Sequence, residues 1–84
     1  MEEQEIGKIT HYFNHLNVAI IELSKPLTKG DTVHIKGHTS DFSQTVDSMQ
    51  EEHADIEKAE AGQSIGIKVS EHVRVGDSVY KAIN

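Results

Sequence analysis

Two pairs of histidines stand four residues apart, His11 with His15 and His34 with His38, and His53 and His72 complete a set of six. Neutral imidazole is a common zinc ligand, so the spacing raises the question of a metal centre. On an extended strand, however, positions four apart lie about 13 Å from each other, beyond the reach of one zinc ion. There is no cysteine and no HExxH pattern to complete a ligand set, and no metal is expected. Ser40-Asp41 and Ser70-Glu71-His72 bring nucleophile and base types together, yet neither of these serines sits in a GxSxG elbow. A GxxxxGK[ST] phosphate loop is absent, so nucleotide hydrolysis is not expected either. The chemistry left is binding, with no catalytic residue and no cofactor.

The elements that must position any binding surface read as strands. Apolar residues recur in short β-branched runs between glycine turns. Residues 6–13 carry Ile6, Ile9, Tyr12 and Phe13 before a reversal at Asn14-His15. Residues 16–23 contain Val18, Ala19, Ile20 and Ile21, apolar on both faces as in a covered central strand, and Pro26 lies just beyond them. Further strands are expected over residues 32–36, 41–52, 64–69 and 78–83. In the fourth, Phe42 and Val46 fall on one face and Met49 on the other, so a bulge near Asp47 or Ser48 is needed to bury all three. Residues 53–61 offer the one helical turn, with Ile56 and Ala59 as its apolar edge. "KGD" and "VGD" look like one turn used twice.

The expected fold is all-β, a small antiparallel barrel of six strands, since closure removes exposed strand edges. Val18, Ile20, Val33, Ile35, Val46, Ile65, Ile67 and Val79 form the expected core. Eighty-four residues make one domain, 1–84, with 1–5 as a flexible tail. No stretch has the roughly 20 apolar residues that cross a bilayer, and the first residues are acidic where a signal peptide is basic. The expected location is the cytoplasm, with no membrane partner. A net charge of -6 opposes non-specific binding to nucleic acid.

Four stretches carry a family resemblance. "GKITHYFNHLNVAIIEL", "LTKGDTVHIKG", "VDSMQEEHADIEKAEAGQSIGIKV" and "VRVGDSVY" together resemble the second, β-barrel domain of translational GTPases of the elongation factor Tu and elongation factor 1-alpha kind. The resemblance covers residues 6–82 and implies a stand-alone barrel lacking its GTPase domain. It also implies a non-catalytic module that binds an RNA end such as that of tRNA, a ribosomal surface or a translation-related protein. The family's adenosine-contacting carboxylate corresponds by spacing to Gln50, which can accept a hydrogen bond but carries no charge. The implied surface comprises Lys36, His38, Asp41, Gln50 and His53, with Tyr12 or Phe13 available for stacking where a ring faces outward. An alternative is a protein-interaction accessory module for a separately encoded enzyme, similar to the small barrel appended to collagenase-like peptidases, and the acidic composition favours it.

Overall fold

A computed structural model describes residues 2–52 and 54–83. The described chain forms ten strands and no helix: β1 (Glu2–Phe13), β2 (Val18–Leu23), β3 (Leu27–Thr28), β4 (Thr32–Lys36), β5 (Asp41–Thr45), β6 (Met49–Glu51), β7 (Ala54–Ile56), β8 (Lys58–Ala59), β9 (Ser64–Lys68) and β10 (Ser78–Ile83). Eight form one antiparallel sheet in the order β5-β4-β10-β1-β2-β9-β6-β7, and β3 pairs with β8 apart from it. Among the described residues there is no helix long and apolar enough to cross a membrane.

The all-β, antiparallel class is as expected, but two expectations about its architecture are corrected. Ten strands replace six, and no ladder among the described residues joins β5 to β7, so the sheet is not a closed barrel. The physical reason lies at residues 46–48. Instead of bulging within one long strand, the chain leaves β5 after Thr45, and Val46 exchanges backbone hydrogen bonds with Asp31 and Gly30. It re-enters the sheet at Met49, opposite Ile67 of β9. Phe42, Val46 and Met49 are all buried by this break. The side chain of Gln44 on β5 spans to the segment around the end of β9, donating to the Lys68 carbonyl at 2.6 Å and accepting from the Ser70 N–H at 2.8 Å.

β1 begins at Glu2, where a flexible tail was expected, because Glu2 to Glu5 pair with β10 from Ile83 back to Tyr80. Its register shifts twice, between Glu5 and Gly7 and between Ile9 and His11. Ile6 and Ile9, three apart, cannot share a face of a regular strand, and the bulges let both be buried. Gly7 allows the backbones to close: a Cβ there would stand 2.5 Å from the Glu22 carbonyl oxygen.

The helical turn expected within residues 53–61 is corrected as well, with His53 itself outside the described residues. Residues 54–56 are strand, and Ala59 of β8 pairs with Leu27 of β3, each fully buried. The non-local partner wins over the weak local helical pattern.

One turn is used three times. In residues 28–31, 60–63 and 74–77 the fourth residue's N–H donates to the first residue's carbonyl. In each, the fourth residue's side chain also accepts from the first residue's N–H: Asp31 from Thr28, Gln63 from Glu60 and Asp77 from Arg74. The third position is a glycine with φ of 97°, 92° and 97°, as a type II turn requires. The turns deliver the chain into β4, β9 and β10.

Val33, Ile35, Val46, Ile65, Ile67 and Val79 are buried as expected. Val18 and Ile20 are not: Ala19, Ile21 and Leu23 take the inward positions of β2, and Val18 and Ile20 lie half-buried on the outer face.

Candidate functional site

The outward turn of Val18 and Ile20 builds the most distinctive surface of the molecule. Ile20 stands opposite His11 of β1 and Gly66 of β9, and Gly66 stands opposite Gln50 of β6. One row along, Val18 faces Phe13 on one side and Lys68 on the other. Gly66 has no side chain to fill the space between the rows, and a Cβ there would meet Ile20 Cδ1 and Val18 Cγ1 at 3.3 Å. The result is an open groove of about 590 Å³ between the β1–β2 hairpin tip, β9 and the start of β6.

The hairpin tip carries Leu16, 62% exposed, and Asn17 with φ of 55°, a left-handed conformation that asparagine tolerates. Asn17 is anchored because its carbonyl accepts from the Val69 N–H at 2.8 Å. Across the groove Gln50 donates its amide to Asp55 on β7 at 3.2 Å, which leaves its carbonyl oxygen as an acceptor. Phe13 is 42% exposed and its ring lies 4.4 Å from that of His11. Tyr12, by contrast, packs against the core and meets His72 edge-on at 4.7 Å.

The residues expected to form one binding surface are divided. Lys36 and Asp41 stand opposite each other on β4 and β5, and His38 is exposed in the loop between those strands. Gln50 lies near the other end of the strand order, in the groove described above. His53 is outside the described residues. Asp41 is engaged by a residue that sequence spacing singled out only as a metal ligand: His34 shares Nε2–Oδ1 at 2.5 Å with Asp41. The other ring nitrogen of His34 lies 2.9 and 3.0 Å from the two carboxylate oxygens of Glu3. The bonds to Asp41 and then to Glu3 raise the His34 pKa above its usual 6.5, against a smaller opposing effect of desolvation. The same bond lowers that of Asp41. With a carboxylate on each nitrogen, His34 is a cross-strand clasp. No set of three or more metal-ligating side chains converges among the described residues.

Ser40 is buried and donates its hydroxyl to the His72 carbonyl at 3.2 Å, with no side-chain base at its oxygen among the described residues. A GxSxG spelling does occur at residues 62–66, around Ser64, and sequence inspection of the other serines passed over it. Its context is a turn entering a strand, with Ser64 opposite Glu22, whereas a nucleophile elbow joins a strand to a helix. The groove residues Asn17, Gly66 and Lys68 were also missed. The signal that could have found them is the glycine inside the apolar run of residues 64–69, since an interior strand glycine marks a hollow or a close approach.

No family model matches the chain. Over 77 residues, 90% of the chain, it is 42% identical to an uncharacterised protease of Methanocaldococcus jannaschii. Over 78 residues it is 40% identical to a collagenase of Porphyromonas gingivalis. The chain spans about a fifth of the length of these curated relatives, 19% and 22%. The C-terminal domain of a U32 peptidase-like protein of Geobacillus thermoleovorans has the same fold, with a TM-score of 0.88 at 18% identity over 95% of this chain and 93% of that one. These findings overturn the elongation-factor resemblance: the relatives are peptidases and so is the source of the matching fold. The resemblance rested on glycine turns and strand alternation, and such turn chemistry follows from the backbone conformation rather than from one family's function.

Proposed function

We propose that this protein is a non-catalytic accessory module of peptidase-like proteins, one that docks a polypeptide and leaves hydrolysis to a separate catalytic part. The observation that carries the reading is 42% identity over 77 residues confined to 19% of the M. jannaschii protease. A segment of that size leaves four-fifths of the relative to hold a catalytic centre. The engagement of Ser40 by a backbone carbonyl and of Asp41 by His34 supports the absence of a nucleophile–base pair in the module. Its outer face, partly apolar and recessed at Gly66, has the character of a surface that another chain covers.

The test uses the P. gingivalis collagenase. Its matching segment is deleted in one variant and replaced by this chain in another, and collagen hydrolysis is measured for both beside the purified module alone. The expected result is loss of hydrolysis on deletion, recovery in the chimera, and none from the module. Hydrolysis by the isolated module, or a deletion variant as active as the parent, overturns the proposal.

A further inference from the structure

The groove over Gly66 is lined by no carboxylate, in a chain with 14 Asp and Glu against 8 Lys and Arg. Lys68 sits on its wall, exposed, and among the described residues it forms no ion pair, whereas Lys8, Lys58 and Lys81 each have a carboxylate within 4.0 Å. His15 lies on the same rim. Lys68 is thus the one lysine among the side chains lining this recess, and a carboxylate entering it meets attraction there.

The apolar half of the groove is equally specific. Of the three large apolar side chains well exposed in the described structure, Phe13 and Leu16 belong to the β1–β2 hairpin, and Leu16 lines the groove with Val18 and Ile67. Val18 and Lys68 are direct cross-strand partners, so an aliphatic contact and a cation stand side by side. Gln50 presents a carbonyl oxygen that can accept a backbone N–H, and Ser48 presents a hydroxyl. An extended chain lying along such a wall shows every second side chain to it.

From this placement we infer that the groove binds an extended acidic peptide segment in which a carboxylate and an aliphatic side chain lie two residues apart, on the same face, the carboxylate meeting Lys68 and the aliphatic group seated over Gly66 against Val18 and Leu16. This deepens the accessory-module reading by naming what the groove holds, and it rests on that reading only for which polypeptide carries the segment. Specificity comes from Lys68 and from a groove lining without a carboxylate, Asp47 lying in the adjoining recess on the other side of Lys68.

The experiment is a titration of the ¹⁵N-labelled protein with a synthetic peptide of repeating Leu-Ser-Glu-Ser, which puts Leu and Glu on one face, repeated with Gln and then Lys in place of Glu. Amide shifts are expected at Asn17, Val18, Gln50, Gly66 and Lys68 with the Glu peptide, with about tenfold weaker binding of the Gln peptide and none of the Lys peptide. Lys68→Glu, an exposed change that leaves the core untouched, is expected to reverse the preference toward the Lys peptide. Gly66→Ala narrows the floor and is expected to weaken the Glu peptide while leaving the thermal transition close to that of the parent. Equal affinity for the Glu and Gln peptides, shifts confined to the β4–β5 hairpin, or no shifts overturns the inference. A groove that behaves as expected in a chimera that stays inactive refutes the accessory role alone. An active chimera whose groove ignores the peptides refutes the groove assignment alone.

Discussion

Asp77 does before β10 what Asp31 does before β4. Each carboxylate accepts from the backbone N–H three residues earlier, Arg74 at 3.0 Å and Thr28 at 2.9 Å, and each follows a glycine at φ of 97°. Their surroundings differ. Asp77 is 5% exposed, while Asp31 is half-buried and has Lys81 Nζ at 3.6 Å. Asp77→Ala leaves the part-buried N–H of Arg74 without its acceptor and is expected to lose about 2 kcal/mol, against about 1 kcal/mol for Asp31→Ala, whose bond is exposed. Denaturant unfolding of the two variants checks the order.

The buried carboxylate also dictates its neighbour. A Cβ at Gly37 would overlap the Asp77 carboxyl group, so Gly37 is required for space. Gly37→Ala is expected to destabilise by roughly 1–3 kcal/mol. In the double variant with Asp77→Ala the clash is gone, and the two losses should sum to less than their separate values. Strict additivity would show that the two residues do not meet in solution.

The His34 clasp predicts a pH profile. The raised pKa of His34 means that its contribution is full below the ordinary value of 6.5 and is lost as pH rises through the raised one. The lowered pKa of Asp41 means that its contribution is full above 3.8 and is lost as pH falls through the lowered one. The clasp therefore stabilises most between about pH 4 and 6.5. His34→Gln is expected to remove the decline above pH 6.5 that the parent shows, measured as the difference in unfolding midpoint across that range. A parent and variant with parallel profiles would rule the clasp out.

Gln44 ties β5 to the segment at the end of β9 with two bonds made by one amide. Gln44→Ala is expected to lose about 1–2 kcal/mol. Gln44→Glu keeps an acceptor for Ser70 but no donor for Lys68, and should fall between. Hydrogen exchange at the Ser70 amide is the direct readout, slowest in the parent and fastest in the Ala variant.

Alternation and turn chemistry revealed the longer strands β1, β2, β4, β9 and β10, the six buried residues from Val33 to Val79 and the repeated Gly-Asp turn, because these depend on near neighbours in sequence. Val18, Ala19, Ile20 and Ile21 are all apolar, so their pattern could not choose a face. The choice was made by bulges in β1 and by Gly66 on another strand. Ile56 and Ala59 have helical spacing, and only the partner strand at Leu27 reveals that they are not helical. The groove draws Asn17, Gln50 and Lys68 from three separate segments, and the clasp joins Glu3 to His34 across β10. No local pattern contains such pairings. Kinship misled for a related reason: glycine turns record what a backbone needs, and the function lies elsewhere.

The ladder between β1 and β10 has a consequence in time. Glu5 pairs with Tyr80 and Gly7 with Val79, so the central pairing of the sheet spans nearly the whole chain. Contacts so distant in sequence carry a large loop-closure cost before any reward, which places folding in the millisecond-to-second range. Val79 is fully buried in the core. During synthesis, strands β1 to β9 must therefore wait with an unfilled slot between β4 and β1, and the nascent chain acquires its stability only when residues 78–83 leave the ribosome.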